Sequence, residues 1–364
     1  MDANSTDHLP LILEETHWQS LDAAAFPARV VEVHKRYAFV SPESTLRDVR
    51  TREVWLGTLQ KKFLTQARTE RNFICVGDRV LCLPDLKRPT TSANKDDIER
   101  CVIQHVAPRS TALSRVDPLN ELRKHVLAAN MDQLLIVASY LNPKIKWGLI
   151  DRYLCIAELN HLPAIIVLNK KDALEESQDE DFKKECISEM ENYKALGYPV
   201  INLQANSPRV KKSTDFYELS LLLKNKISIV SGHSGVGKSS LVNLFRPEIV
   251  QDVEPDDDIF YKGRHTTSFA SFIKLEMGAY IIDTPGIRSF LLNFIEPAEL
   301  ANGFREFRSY VSQCKYRECQ HNEEPDCAVK NAVLEGKISV RRYHSYLGQL
   351  LGETGREGRT RNDN

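Results

Sequence analysis

Three short segments of this chain carry residue types that together can hold a phosphorylated nucleotide. Gly232-His233-Ser234-Gly235-Val236-Gly237-Lys238-Ser239, followed by Ser240, has the spacing of a phosphate-binding loop. Gly232 and Gly237 let the backbone curl so that its N–H groups converge on a β-phosphate, and a helix beginning near Lys238 adds its positive end. Lys238 is suited to bridging the β- and γ-phosphates, and Ser239 to holding Mg²⁺. Such a loop does not specify a base, whereas Asn169-Lys170-Lys171-Asp172 does. The Asp172 carboxylate can accept hydrogen bonds from both N1–H and the exocyclic amine of guanine, and would face an acceptor at N1 of adenine. Asn169 would steady this loop and touch the purine edge, with the stem of Lys170 lying over the ring. A Ser-Ala-Lys-like turn usually supplies an N–H to the guanine oxygen. The nearest candidate is Gln204-Ala205-Asn206, in which Ala205 offers the N–H and Gln204 departs from the usual residue.

Two further elements suit a γ-phosphate. Asp283 of Asp283-Thr284-Pro285-Gly286 would hold Mg²⁺ through water, and the Gly286 N–H would reach the phosphate. Gly263-Arg264-His265-Thr266-Thr267 lies in a polar, acid-rich stretch of the kind that forms a switch loop, with Thr266 or Thr267 completing the Mg²⁺ shell. In Ras-like enzymes a Gln after the Asp-x-x-Gly motif positions the attacking water. Ile287 occupies that place and cannot do so, which leaves His265 to position the water or, alternatively, to meet only a partner or solvent. Hydrolysis by the isolated protein is therefore expected to be slow. In ordinary GTPases the phosphate loop comes first; here the guanine reader precedes it, so the GTPase unit reads as circularly permuted.

Cys314-x4-Cys319-x-His321-x5-Cys327 supplies three thiolates and an imidazole, a complete tetrahedral set for one structural zinc ion. Cys75, Cys82, Cys101, Cys155 and Cys186 are instead scattered through apolar stretches, as buried thiols are. After the zinc set, residues 328–333 and 341–346 read as helical, with basic and aromatic side chains that could meet RNA or simply be solvated.

These groups need elements to position them. The chain has 364 residues, of which 42% are hydrophobic, enough for two or three domains. Its formal net charge of -1 predicts no strong overall pull toward nucleic acid, but residues 28–124 carry 19 Lys/Arg against 12 Asp/Glu, and residues 1–27 carry five acids and no Lys or Arg. We expect an acidic tail over 1–24, either poorly ordered or carrying one short helix. A small barrel of the OB type should cover 25–110, from short alternating strands at 29–33, 37–40, 54–57, 78–82 and 98–106. Strands at 132–139, 163–168, 199–203, 227–230 and 279–282 alternate with helices near 150–159, 181–196 and 216–224, which predicts a mostly parallel sheet with helices on both faces and its ligand at the strands' carboxyl ends. That places an α/β P-loop GTPase domain at 111–295, a mostly helical zinc-binding domain at 296–352 and a disordered tail at 353–364. No stretch approaches the roughly 20 apolar residues that span a bilayer, so we expect a cytoplasmic protein with no membrane partner.

The three constellations, in this order and with Cys327-Ala328-Val329-Lys330 closing the zinc set, resemble the bacterial small ribosomal subunit-dependent GTPases of the RsgA (YjeQ) family over residues 28–350. The resemblance implies an OB-fold domain, a permuted GTPase domain and a zinc domain that together clamp the decoding region of the small (30S) subunit and its 16S rRNA during late maturation. It also implies GTP hydrolysis stimulated by the subunit, with His265 as the switch histidine; with Mg²⁺ and GTP or GDP as ligands, we expect GTP to favour the subunit-bound arrangement, hydrolysis to favour release, and a monomer to suit such a clamp. Because Asp283–Gly286 leads within about 30 residues into the zinc module, a length that domain linkers cover, loss of the γ-phosphate could change how that module is held. Two other readings remain open: a P-loop kinase with a small acceptor, and an RNA-binding module in which the nucleotide is only structural.

Overall fold

The computed structural model describes residues 12–34, 37–46, 53–59, 73–85, 98–117, 120–246, 271–283, 295 and 297–352. Its contacts divide into two compact units. One comprises residues 1–133, 211–230 and 238–290; the other comprises 134–210, 231–237 and 291–364. The segment with the Cys/His cluster thus packs in one unit with the Asn169–Asp172 segment, a grouping that the linear order does not suggest.

In the first unit, strands β1 (Phe26–Val33), β2 (Tyr37–Pro42), β3 (Trp55–Leu59), β4 (Arg79–Pro84) and β5 (Arg100–Val106) close into a barrel of order β1-β2-β3-β5-β4. All neighbours are antiparallel except β3 and β5. The alternation read from the sequence is the cause: Ala28, Val30, Ala38, Val40, Val80, Cys82, Cys101 and Ile103 point inward and are fully buried. The expected tail is a packed strap from residue 12 onward. Its 3-10 helix Glu15–Ser20 places Trp18 against Leu81 and Ala107, and Leu13 N–H donates to Val106 O at 3.0 Å. One indole offset the tail's acidity because Leu81 and Ala107 give it a dry surface.

A hairpin of β6 (Ala112–Asp117) and β7 (Asn120–Ala129) follows, an element the sequence did not announce. In the second unit, β8 (Gln133–Ser139), β9 (Ala164–Asn169) and β10 (Val200–Asn202) pair in parallel, Leu134 opposite Ala164 and Val200 opposite Ile166. Both β8 and β9 are buried along their whole length, as strands covered on two faces are. Helices Trp147–Leu159 and Glu180–Ala195 lie where expected to within three residues, the latter capped by the Asp179 side chain, which accepts from Phe182 N–H.

In the first unit, helix Thr214–Leu223 precedes β11 (Ile227–Ser231). Strand β12 (Ser271–Lys274) runs antiparallel to β13 (Tyr280–Asp283), which is itself parallel to β11. The expected parallel pattern holds for β8 to β10 and for β11 with β13, while β12 adds an antiparallel strand. The zinc module consists of short helices and 3-10 turns between Pro297 and Val311, then helices Ala328–Leu334 and Val340–Leu350. Its core of Leu300, Phe304, Phe307, Val329, Ala332, Ile338 and Tyr346 includes Cys155 from helix Trp147–Leu159.

Two of the basic and aromatic residues read as a possible RNA surface at 341–346 are core, while His344 is exposed. Arg342 is 1% exposed and Tyr346 is fully buried. Arg341 and Arg342 are bound by the carboxylates of Asp151, Glu189 and Glu306, which offset the cost of burying two cations.

Candidate nucleotide and metal sites

β9 ends at Asn169, whose side chain is buried and bonded at both ends. Nδ2 donates to Val236 O at 2.9 Å, and Oδ1 accepts from Ala205 N–H at 3.0 Å. One amide thus ties together the loops that follow β9, β10 and β11. The approach is so close that a Cβ on Gly237 would lie 2.2 Å from Asn169 Nδ2, and φ there is +96°. Gly232 is constrained likewise, its missing Cβ lying 2.0 Å from Val137 O at φ +148°. These glycines therefore serve backbone curvature and also contact with β8 and Asn169.

Lys170 stands in the left-handed region at φ 60°, just before helix Lys171–Glu175. Its Nζ donates to Gly235 O at 2.8 Å and to Asn142 O, so the side chain arches over the phosphate loop. Asp172 lies half-buried in the first turn of that helix. Lys171 instead faces Glu175 at 3.7 Å, an exposed helix pair. Ala205 departs from expectation, since its N–H is held by Asn169 Oδ1 and is not available to a base. The reason is geometric: a buried Asn has an acceptor as well as a donor to satisfy, and the Ala205 amide is the group at hand.

After β11, His233, Ser234 and Gly235 are exposed and Val236 is buried. His233 Nδ1 lies 2.9 Å from Ser234 O. Lys238 opens helix Lys238–Leu244, which carries Ser239 and Ser240. The parallel register, Ile227 opposite Tyr280 and Ile229 opposite Ile282, brings the carboxyl ends of β11 and β13 to the same sheet edge, so half-buried Asp283 emerges beside the strand that feeds the phosphate loop. His265, Thr266, Thr267 and Gly286 lie outside the described residues.

Cys314, Cys319, His321 and Cys327 present ligand atoms all within 4.8 Å of one another. His321 Nδ1 is 3.5 Å from Cys314 Sγ and 3.4 Å from Cys327 Sγ, and the two sulfurs are 3.9 Å apart. Tetrahedral zinc, with Zn–S of about 2.3 Å and Zn–N of about 2.0 Å, requires N···S of roughly 3.5 Å and S···S of roughly 3.8 Å, close to these separations, so the cluster fits that ion. Burial pushes the Cys319 thiol up to about 12 and raises that of Cys327. A divalent cation held by these four residues would supply the charge that makes their thiolates stable there. Burial also lowers the pKa of His321, favouring the neutral imidazole that ligates metal. The Glu324 carboxylate accepts from Gln320 and Asn322 N–H at 2.7 and 2.9 Å, closing the ligand loop.

Comparison with known proteins agrees with this geometry. The family model described as RsgA GTPase matches residues 106–293. A small ribosomal subunit biogenesis GTPase RsgA of Actinobacillus pleuropneumoniae is 40% identical over 245 residues, spanning 67% of this chain and 68% of the relative. Its counterpart in Thermotoga petrophila is 36% identical over 318 residues, 86% of this chain and 95% of that protein. Among solved structures, YjeQ from Thermotoga maritima superposes with a TM-score of 0.67 at 32% identity, covering 92% of this chain and all (100%) of that one. YloQ, a circularly permuted GTPase, gives 0.62 at 26% identity over 93% and 98% of the two chains. With its OB-like barrel, permuted nucleotide motifs and Cys/His cluster, this chain belongs to the RsgA family of circularly permuted GTPases and is a GTP hydrolase.

Proposed function

We propose that this chain binds the small ribosomal subunit late in its maturation, that the subunit stimulates its GTP hydrolysis, and that hydrolysis drives release. The observation carrying this reading is Asn169, whose bonds to Val236 and Ala205 unite a base-reading loop with a phosphate loop, in a chain similar to proteins named small ribosomal subunit biogenesis GTPases.

Asp172 reads the N1–H and amine of guanine. With the Ala205 amide committed to Asn169, the neighbouring Asn206 N–H takes the guanine oxygen. Gly232 to Gly237 and Lys238 hold the phosphates; Ser239, Thr267 or Thr266, and water on Asp283 complete the Mg²⁺ shell. Gly286 N–H senses the γ-phosphate, and His265 orients the attacking water. Cys314, Cys319, His321 and Cys327 hold one structural zinc ion. The partner surface is 16S rRNA met by the barrel and zinc module, and the protein works as a cytoplasmic monomer. Among the described residues no helix is long and apolar enough to cross a membrane.

Subunit affinity measured with a non-hydrolysable GTP analogue and with GDP tests the release step. Tighter binding with the analogue supports it, and equal affinities contradict it.

A further inference from the structure

We propose that Asp151 is a positioning residue for guanine nucleotide binding, through which metal loading of the Cys314, Cys319, His321 and Cys327 cluster tightens nucleotide affinity and nucleotide tightens metal affinity. The inference rests on the nucleotide-site reading above.

Asp151 is fully buried on helix Trp147–Leu159. Its Oδ1 accepts from Tyr193 OH and Arg342 Nη1, both at 2.6 Å, and its Oδ2 from Arg341 Nη1 at 2.6 Å. Arg342 also holds Glu306, and Arg341 Nε lies 2.7 Å from Glu189. Both arginines belong to helix Val340–Leu350, which reaches the metal ligands directly. Tyr343 OH donates to His321 O at 2.7 Å and Tyr346 OH to Gln320 O at 2.6 Å.

The N-terminal end of helix Trp147–Leu159, one turn before Asp151, is continuous with a segment that reaches the candidate nucleotide loops. The segment before it is pinned to β8 by Ser139 Oγ donating to Pro143 O at 2.9 Å and Ile145 N–H to Tyr140 O at 3.0 Å. Asn142 O in that segment accepts from Lys170 Nζ, which also donates to Gly235 O of the phosphate loop. Ligand loop, Tyr343, Arg342, Asp151, helix, Asn142, Lys170 and Gly235 therefore form one bonded series.

Metal orders its own loop, since small zinc modules fold with their ion. Without the ion, Tyr343 and Tyr346 lose their carbonyl partners and the helix carrying Arg341 and Arg342 loosens. Asp151 is then a buried anion without its cations, a state strained enough to make the surrounding helix move. Movement of that helix displaces Asn142 and with it one of the two acceptors that hold Lys170. Because coupling free energies are reciprocal, the factor must be equal in the two directions.

The test uses the full-length protein, a fluorescent GDP analogue and Mg²⁺ in excess, with zinc present or removed by a zinc-selective chelator. Metal loading is expected to tighten GDP by about 5- to 150-fold, the usual range of such coupling. GDP should tighten zinc by the same factor, and Asp151→Asn should abolish both effects, its GDP affinity staying at the metal-free wild-type level with or without zinc. A residue with only a structural role would lower the melting temperature and leave the coupling factor intact. Should Asp151→Asn fail to fold, the Tyr343→Phe, Tyr346→Phe double variant removes the link to the ligand loop and is expected to reduce the factor. GDP affinity independent of metal, or a factor unchanged in the variant that folds, overturns the inference alone. Absence of GDP binding by the loaded wild-type protein overturns the nucleotide reading as well.

Discussion

Asn169 Nδ2 and the main-chain oxygen of Val236 are joined by a 2.9 Å hydrogen bond, although 67 residues separate them. In a permuted chain this bond has a particular consequence: the loop proposed to read the base comes before the glycine-rich loop in sequence, and a single amide fixes one against the other. With its second bond to Ala205 N–H, Asn169 holds the loops after β9, β10 and β11 together.

Asn169→Ala removes both bonds and leaves Val236 O and Ala205 N–H without partners. Each unsatisfied buried group costs about 1 to 3 kcal/mol, so GDP affinity should fall by about 30-fold or more. Titration with a fluorescent GDP analogue reads this directly, and a change within about threefold would sink the stapling role.

Gly237→Ala tests the close approach. The added methyl group would lie 2.2 Å from Asn169 Nδ2 at a φ of +96°, so neither the backbone nor the amide can keep its place. Circular dichroism should report an intact fold while nucleotide binding is lost. Retained binding would mean that the loop closes differently.

The barrel strands, β8 to β10, β11 and β13, and the metal cluster were legible in the sequence because period-2 patterning, glycine spacing and ligand spacing are local properties. What was not legible depends on partners distant in sequence. Arg341 and Arg342 look like solvent or RNA contacts until Asp151, Glu189 and Glu306 are brought to them by folding. Ala205 was assigned to the base because nothing in the sequence says that Asn169 Oδ1 will claim its N–H. The hairpin β6–β7 was missed because the residues linking it, Pro118 and Leu119, are not a hairpin turn pair and its strands are rich in charge. Trp18, with Leu13, Leu21 and Ala25, carried the signal that the acidic tail would pack.

Arg342→Met leaves the Glu306 carboxylate without its cation and Asp151 with Arg341 as its remaining one, and should destabilise the protein by about 3 to 5 kcal/mol, read by urea unfolding. The pH dependence has a definite sign. Burial alone raises the Asp151 pKa, but Arg342 and Arg341 outweigh it and hold the carboxyl below its ordinary value. Its contribution is therefore present above the unfolded value, about 3.9, and is lost as pH falls through the lower folded value. Without Arg342 the folded pKa rises, so the acid-unfolding midpoint should move to higher pH. A midpoint unchanged or lowered would contradict the pairing.

The metal cluster predicts one zinc ion per folded chain by elemental analysis. Cys319→Ser should lose it together with the near-ultraviolet signal of the aromatic residues around His321, namely Phe307, Tyr343 and Tyr346. Full zinc content in the variant would remove Cys319 from the ligand set.

The most direct test of the central claim is phosphate release from GTP and from ATP, with and without purified small ribosomal subunits, using His265→Ala as the control. We predict slow release alone and strong stimulation by subunits, confined to GTP and lost in the variant. Turnover that ignores the subunits would leave a GTP hydrolase and contradict its proposed action on the ribosome.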